Sequence, residues 1–413
     1  MSKHPRKRGM AKGFQFEPYW LKEEDIGQKK EVEGLLARGE LYWRQRSRAD
    51  WLVASDCNSK FFHARSSSRK LKNRISFLLD DKGRVQDSDE GLTKVISQYF
   101  FTLFQSTNPS AIDIRFATEF IGSKLSNALS NDLGEIFRND EVKKTIFGMG
   151  PSKASGLDGF HAIFSRNSGV DVVYKTVTKV LANRLKTCLP TIISSNQSAF
   201  VPGSPIFDNV LVSFKILHLI ARCKAGKTGF MVLKLDMSKA YDRIEWSFLK
   251  AIIEKMLFPP ACIALVMDCI SSSKLGFLLN GSKVCSIIPS RGLRQGCPLS
   301  PYLFLLCAEA LSSLISFSEN NGKALGVRCC RGSPLVSHLF FADDSVMFCN
   351  ESSNSGFLIR KSLRIYEHGL GQQVNLQKSR ITFSPNMADV VKRIIQDIFV
   401  IQDCNSQDFY LGI

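Results

Sequence analysis

One feature limits the fold more than any other: apolar, β-prone runs that end in aspartate. The first such run lies in the block Phe230–Trp246 (FMVLKLDMSKAYDRIEW). Met231–Leu235 predicts a buried strand that ends at Asp236, and the chain from Lys239 onward predicts a helix. A carboxylate at the end of a core strand is placed to hold a cation, although an isolated Asp in this context is more often a helix cap.

The second block, Val336–Cys349 (VSHLFFADDSVMFC), predicts a β-hairpin. Two apolar runs, Leu339–Phe341 and Val346–Phe348, flank Ala-Asp-Asp-Ser, so Asp343 and Asp344 lie at the predicted tip. The simpler interpretation is turn chemistry, because Asp favours turns wherever they occur.

Together the two blocks predict a metal-dependent site. If the first strand neighbours the hairpin, Asp236, Asp343 and Asp344 converge and can bind two Mg²⁺ ions about 3.5–4 Å apart. Magnesium takes one or two carboxylates plus substrate phosphates, so this set is sufficient. One ion would lower the pKa of an attacking 3′-hydroxyl, and the other would neutralise charge on a triphosphate and its leaving pyrophosphate. The predicted reaction is nucleotidyl transfer.

Two further blocks flank these carboxylates in the sequence. Arg291–Leu306 (RGLRQGCPLSPYLFLL) predicts a glycine-containing turn that opens into a helix and brings Gln295 close to a flat substrate. Gly371–Ser379 (GQQVNLQKS) predicts a short turn that carries Asn375 and Lys378. The Lys378 ammonium could donate a proton to pyrophosphate, and an ordinary surface lysine is the alternative.

The charge balance predicts a polyanionic partner. The formal net charge is +17, and such an excess favours nucleic acid. It is dense in KFFHARSSSRKLKNR, which has no acidic residue and interleaves rings with the cations Lys60, Arg65, Arg69, Lys70, Lys72 and Arg74. Cations attract phosphates and rings stack on bases, so we expect a nucleic-acid contact here, with a solvated helical face as the alternative.

The remaining patterns are structural. ISFLLDDKGRVQ predicts two short strands joined by a turn, and Asp87 with Glu90 predicts a capping box before an amphipathic helix that extends to Leu103. The twelve cysteines are scattered without a C-x-x-C pair, which favours free thiols. No uninterrupted apolar run reaches the ~18 residues of a membrane span, and alternating helical and strand-like segments predict an α+β core.

Four blocks in this order, LKLDMSKAYDRIEW, GLRQGCPLSP, FADDS and GQQVNLQKS, resemble the palm motifs of reverse transcriptases from LINE-type (non-LTR) retrotransposons, most closely plant ones. The resemblance includes KASGLDGF, ANRLKTCLPTIISSNQSAFVPG and the terminal YLGI, and covers most of residues 40–413. It implies an α+β right-hand polymerase palm, an antiparallel sheet with packed helices, together with reduced fingers and a helical basic N-terminal region.

The same resemblance implies a domain division. Residues 1–140 would form a basic, mainly helical region similar to the linker of those elements, and residues 141–413 the reverse transcriptase domain. Within the latter, residues 141–229 would be partial fingers, residues 230–400 the palm and residues 401–413 the start of a thumb. The implied function is RNA-directed DNA polymerase, which adds dNTPs to a primer 3′-hydroxyl on an RNA template.

The resemblance also implies individual roles. Asp236, Asp343 and Asp344 would be the catalytic metal ligands, for two Mg²⁺ ions with Mn²⁺ as the alternative. Tyr241 would be the gate that excludes a ribose 2′-hydroxyl, and Lys378 the proton donor. Gln295 and Gly296 would lie beside the incoming nucleotide. The implied partners are an RNA template, a DNA primer and dNTPs, without a membrane, and the location is intracellular, in the nucleus.

Two departures from the family pattern bear on activity. Between KASGLDGF and the ANRL block, HAIFSRNSGVDVVYKTVTKV contains no Arg-Pro-Ile-Ser-like stretch to grip the triphosphate. Charge-assisted hydrogen bonds of that kind are about twice as strong as neutral ones, so weak nucleotide binding is expected. The family's endonuclease and thumb are also not found, so the alternative function is a catalytically impaired retrotransposon remnant that only binds nucleic acid.

Overall fold

The structure is a computed structural model that describes residues 59–148, 173–204, 206–226, 228–320, 326–330, 332–350 and 353–401. Several predicted features lie outside these residues: residues 1–58 of the basic N-terminal region, the KASGLDGF segment, and residues 402–413 of the predicted thumb start. The described chain divides into two compact units, Met1–Val95 with Leu278–Val284, and Ile96–Phe277 with Cys285–Ile413.

The described helices are α1 Ser59–Lys72, α2 Asp89–Phe104, α3 Ala111–Thr118, α4 Asn127–Gly134, α5 Asn139–Gly148, α6 Val173–Ile192, α7 Ile206–Arg222, α8 Trp246–Lys255, α9 Pro260–Ser271, α10 Ser300–Asn320, α11 Ser353–Leu370 and α12 Asp389–Phe399. The strands are β1 Leu78–Leu79, β2 Val85–Gln86, β3 Phe230–Leu235, β4 Leu275–Leu279, β5 Ser282–Ile287, β6 Val327–Arg328, β7 Leu335–Val336, β8 His338–Phe341, β9 Asp344–Asn350 and β10 Arg380–Phe383.

The first unit begins as the sequence predicted, with one correction. Strands β1 and β2 pair antiparallel, which confirms the predicted hairpin. Helix α2 begins at Asp89, and the Ser88 hydroxyl accepts a hydrogen bond from the Gly91 amide at 3.1 Å. The predicted cap, Asp87, is therefore wrong by one residue, because Ser88 is the side chain that reaches the free amides of the first turn.

A four-stranded antiparallel sheet organises the second unit. Its strand order is β10-β3-β9-β8, so β3 and the predicted hairpin are neighbours. Leu235 lies opposite Ser345, and Phe341 lies opposite Asp344. The pairing brings the carboxyl end of β3 to the turn of the hairpin.

The two faces of the sheet pack differently. Alternate residues Met231, Leu233 and Leu235 enter the main core, whereas Val232 packs in a second core with Phe348. The main core takes side chains from helices α8, α10 and α11, and the second takes Ile216 and Ile220 of α7. Because side chains alternate along a strand, Lys234 and Asp236 lie on the same face as Val232. The polar groups thus lie opposite the main helical layer.

Helix α10 fills the centre of the main core. Among the described helices it alone is long and apolar enough to cross a membrane. Its residues from Tyr302 to Ser312 are buried inside the protein, including Glu309. Most of its apolar surface is covered by the fold, as in a core helix.

Candidate active site

Asp236 ends strand β3 and is fixed by its backbone. Its amide donates to the Ser379 hydroxyl at 3.2 Å, and its carbonyl accepts from the Asn375 amide at 2.8 Å. The Ser238 amide donates to the Gln373 carbonyl at 2.8 Å. The segment 371–379 therefore runs beside the end of β3 and takes up the polar backbone groups there.

One prediction for the stretch after β3 is wrong. The chain does not become helical at Lys239; residues 238–243 form turns, and α8 begins at Trp246. Lys239 has φ 56°, in the left-handed region, which no regular α-helix can include. The Tyr241 carbonyl accepts from the Leu293 amide and the Ile244 carbonyl from the Gly292 amide, each at 2.8 Å, and Asp236 caps no helix.

The second carboxylate segment is a two-residue turn between β8 and β9. Ala342 and Asp343 form the turn, and Asp344 is the first residue of β9. Ala342 has φ 54°, which is uncommon for a residue with a side chain. Its amide donates to Gln197 Oε1 at 3.3 Å, so the turn is held from outside the hairpin.

The three carboxylates come together at the end of the sheet. Burial raises the pKa of Asp344, and the negative charges of Asp343 and Asp236 raise it further. Lys234 Nζ lies 3.9 Å from Asp344 Oδ1 and lowers that pKa. Sequence reasoning missed Lys234, although its position two residues before Asp236 on a strand gave the signal, since alternate residues share a face.

The donor set fits a divalent metal ion in its chemistry. Carboxylate oxygens are the ligands that magnesium takes, one or two at a time, with water and phosphate oxygens completing the shell. Repulsion from the charges of Asp343 and Asp236 adds to the effect of burial in raising the pKa of Asp344, and a bound cation would relieve that repulsion. Within the described residues, no set of three or more His, Cys, Asp or Glu side chains is already arranged around a common metal position.

Tyr241 lies close to this cluster. It is half-buried and its ring stacks on Phe304, with centroids 4.8 Å apart and planes 12° from parallel. Burial and the charge of Asp343 raise the pKa of Tyr241 to about 12. The phenol is therefore neutral at physiological pH, and stacking holds its ring in one orientation beside Asp343.

Gln295 and Gly296 are exposed at the turn before α10. Gln295 lines a cavity of about 370 Å³ together with Lys239, Asp242, Arg294 and the rings of Phe100 and Phe277. Lys378 is exposed on the turn after Asn375, and its amide donates to Asn375 Oδ1 at 3.3 Å. Gln295 faces a space that can admit a ligand, whereas the Lys378 side chain extends into solvent.

Two buried polar clusters lie in segments that flank the site residues along the chain, and sequence reasoning found neither. In the first, Arg291 Nη1 lies 3.3 Å from Glu245 Oε1, and both side chains are almost fully buried. Glu245 also accepts from the Thr107 amide at 2.9 Å, and Arg291 Nε donates to the Leu103 carbonyl at 2.9 Å. Only the three-dimensional fold brings these residues together, since about 140 positions separate Thr107 from Glu245.

The second cluster includes His338, the first residue of β8. His338 is fully buried, and burial lowers its pKa to about 3. Its Nε2 lies 2.8 Å from the Ser312 hydroxyl, which lies 2.9 Å from the Ser194 hydroxyl. The Ser194 amide donates to Glu309 Oε2 at 3.0 Å, and burial raises the pKa of Glu309 to about 7.

In the first unit, the predicted cations lie on and just after α1. Lys60, Arg65, Lys70, Lys72 and Arg74 are exposed, and Arg69 is half-buried. The helix end is joined to the β4–β5 turn, because the Ile75 amide donates to Asn280 Oδ1 and Asn280 Nδ2 donates to the Ile75 carbonyl, each at 2.9 Å. A groove of about 700 Å³ lies here, lined by Lys70, Arg74, Asn280 and Ser282 among others.

An antiparallel sheet with carboxylates at the ends of its two central strands, backed by helices, defines the palm of a polymerase and confirms the predicted α+β fold. The profile of the family described as reverse transcriptase (RNA-dependent DNA polymerase) matches residues 167–412. The chain therefore belongs to the reverse transcriptase family. Members of this family bind a nucleic-acid template and primer and use divalent metal ions.

Two proteins with sequence similarity to this chain agree with this assignment. The chain is similar to the Transposon TX1 uncharacterized 149 kDa protein of Xenopus laevis, with 26% identity over 65% of this chain and 24% of that protein. It is also 26% identical, over 51% of this chain, to 19% of a retrovirus-related Pol polyprotein from type-1 retrotransposable element R2 of Nasonia vitripennis. A structure of apo telomerase from Candida tropicalis aligns with a TM-score of 0.39 and 12% identity over 82% of this chain and 65% of that one. The resemblance to LINE-type (non-LTR) enzymes is confirmed, and the chain spans about a quarter of the Xenopus protein's length.

Proposed function

We propose that this chain catalyses RNA-directed DNA synthesis, in which dNTPs are added to the 3′-hydroxyl of a DNA primer on an RNA template. The observation that carries the proposal is the meeting of Asp236, Asp343 and Asp344 at one end of the β3–β9 pair. These carboxylates would hold two Mg²⁺ ions, with Mn²⁺ as the alternative. When bound, the ions would activate the 3′-hydroxyl and offset charge on the triphosphate.

Side chains around the carboxylates would select the nucleotide, contact it and donate a proton, each by its position. The Tyr241 ring, held against Phe304 beside Asp343, would exclude a 2′-hydroxyl by overlap and so select deoxynucleotides. Gln295 and Gly296 would lie beside the incoming nucleotide, above the cavity that Gln295 lines. Lys378 is exposed on a turn, and its ammonium would give a proton to the leaving pyrophosphate.

The cations on and after α1 would bind nucleic acid. Two of them, Lys70 and Arg74, line a groove that also contains amide and hydroxyl groups, which suits a phosphate backbone and exposed base edges. In this proposal residues 230–400 are the palm and residues 141–229 the fingers, residues 401–413 begin a thumb, and residues 1–140 form a basic linker region. The protein works in the nucleus, without a membrane.

Primer extension tests the activity. With an RNA template, DNA primer, dNTPs and Mg²⁺, the chain should extend the primer, and an Asp343→Ala, Asp344→Ala double variant should lose more than about 10³-fold in rate. Asp389→Ala with Asp397→Ala, on the exposed part of α12, removes the same charge elsewhere and should leave extension unchanged. Equal extension by both double variants would refute the proposal.

A second candidate, nucleic-acid binding without catalysis, is favoured by two observations. Lys234 already lies 3.9 Å from Asp344, and no carboxylate cluster in the described residues is arranged as a complete metal shell. This candidate predicts binding whose log affinity falls with log salt, at a slope of about −0.7 to −0.9 per phosphate contacted, with no extension product. Loss of binding at low salt would reject it.

A further inference from the structure

Two buried glutamines contact the backbone of the two site segments. Gln197 is 2% exposed, and its Oε1 accepts from the amides of Ala342 at 3.3 Å and Ala199 at 3.0 Å. Gln372 is 5% exposed, and its Nε2 donates to the Ala240 carbonyl at 2.5 Å. Ala342 precedes Asp343, and Ala240 precedes Tyr241, so each glutamine reaches the residue before a proposed site side chain.

Each glutamine also belongs to a segment that pairs with the same part of the site. The Phe340 amide donates to the Asn196 carbonyl at 2.8 Å, and the Ser198 amide donates to the Phe340 carbonyl at 3.3 Å. On the other side, segment 371–375 pairs with residues 236–238, as described above. The side-chain bonds therefore extend two existing backbone pairings toward the turn at Ala342 and the turn at Ala240.

The burial of these two side-chain amides is energetically costly, which indicates that their hydrogen bonds matter. Within the described part of the chain, Gln197 Nε2 and Gln372 Oε1 have no hydrogen-bond partner, and an unpaired buried polar group costs about 1–3 kcal/mol. An apolar side chain of the same length would avoid that cost. The hydrogen bonds that the two amides do make therefore have to offset this cost. At Ala342 that hydrogen bond holds a left-handed backbone conformation, which persists only where the surrounding structure enforces it.

We propose that Gln197 and Gln372 are positioning residues, which fix the backbone at Ala342 and Ala240 and thereby place Asp343 and Tyr241 for nucleotidyl transfer. The inference rests on the proposed polymerase activity. Neither side chain needs to touch substrate, because a displacement of about 1 Å at the reacting groups can cost about 10²-fold in rate. The segment 194–199 thus acts on the hairpin turn, and segment 371–375 on the turns after β3.

Amide hydrogen exchange tests the placement without any need for activity. Gln197→Met, which keeps the length but removes the acceptor, should speed exchange of the Ala342 amide at least tenfold. Gln372→Met should do the same for the amides of Asp242 and Arg243, which bond to the Lys239 carbonyl. Gln98→Met, on the exposed face of α2, is the matched control and should change neither. Unchanged exchange at Ala342 and at Asp242 in folded variants would overturn the proposal.

Steady-state primer extension separates positioning from general stability. In Gln197→Met we expect kcat to fall about 10²-fold, with KM for dNTP changed less than threefold. Gln197→Glu keeps an acceptor oxygen in either protonation state and should restore most of kcat, even if Gln197→Met proves too unstable to assay. A Gln197→Glu variant as slow as Gln197→Met would refute the role of the acceptor. If the wild type makes no product, the polymerase proposal fails, and the exchange result still decides the placement.

Discussion

The two segments that carry the site side chains are flanked by different buried polar groups. The turns that follow β3 lead to Glu245, which forms a buried ion pair with Arg291. Strand β8, which leads into the hairpin turn, begins at His338, in a buried network where burial lowers the pKa of His338 and raises that of Glu309. One segment is thus flanked by a buried ion pair, and the other by groups whose pKa values are shifted by burial.

The two segments should therefore respond differently to mutation and to pH. Loss of one partner from the ion pair leaves an uncompensated buried charge. The network of His338 and Glu309 is sensitive to pH, because the pKa values of these two groups differ between the folded and the unfolded chain.

Arg291→Met should cause the largest loss of stability, about 3–5 kcal/mol, because it leaves Glu245 buried without its cation. It also removes the hydrogen bond from Arg291 to the Leu103 carbonyl. Urea unfolding monitored by circular dichroism measures the loss. Glu245→Met with Arg291→Met should recover part of it, since no unpaired charge remains. A loss below about 1 kcal/mol for the single variant would show that the pair contributes little to the stability of the fold.

Part of the site could be predicted from the sequence, and part of it could not. The strand before Asp236 and the hairpin around Asp343 were predicted correctly, because both follow from a local period of two. The helix start at Lys239 was wrong, since backbone groups after β3 pair with residues 292–293, about 50 positions away. Gln197 and the Glu245–Arg291 pair were missed because their contacts exist only once distant segments meet, whereas Lys234 was missed although its strand position, two residues before Asp236, was a local signal.

Glu309→Gln should change the pH dependence of stability. The pKa of Glu309 is about 7 in the folded chain against an ordinary 4.5, so its proton favours folding below pH 4.5, and that contribution is lost as pH rises through 7. The difference corresponds to about 3 kcal/mol. The variant should therefore gain about 3 kcal/mol relative to wild type between pH 4.5 and pH 7.5, as measured by urea unfolding at each pH.

His338 should give a pH dependence of stability opposite to that of Glu309. Its pKa is about 3 in the folded chain against 6.5, so its contribution is present above pH 6.5 and is lost as pH falls toward 3. Between pH 4.5 and 6.5 the two slopes oppose each other, and removal of Glu309 should expose a loss of stability toward acid. If the stability difference between Glu309→Gln and wild type is independent of pH, the network of His338 and Glu309 does not titrate as described.

Gly292→Ala should have the next largest effect, and Gly296→Ala is its matched control. Gly292 has φ 95°, and a Cβ there would lie 2.7 Å from the Asp242 carbonyl oxygen, whereas Gly296 has φ 81° with no atom within 4 Å of the same position. Both variants pay for the left-handed backbone, but only Gly292→Ala also displaces the turn after β3. Thermal unfolding should show it about 1–3 kcal/mol less stable than Gly296→Ala. Equal stability of the two variants would mean that the turn after β3 shifts to accommodate the added Cβ without loss of stability.

Lys234→Met should produce the smallest change and tests the contact that joins the two segments. The pair of Lys234 with Asp344 is long, at 3.9 Å, and partly exposed pairs contribute at most about 1 kcal/mol. Stability should therefore change little, but the pKa of Asp344 should rise, because Lys234 is the positive charge that lowers it. Carboxyl carbon NMR titration measures this, with Lys250→Met, from an exposed pair on α8, as the control. A pKa of Asp344 that does not rise would show that Lys234 does not act on the carboxylates, and the two segments would then be coupled through the sheet alone.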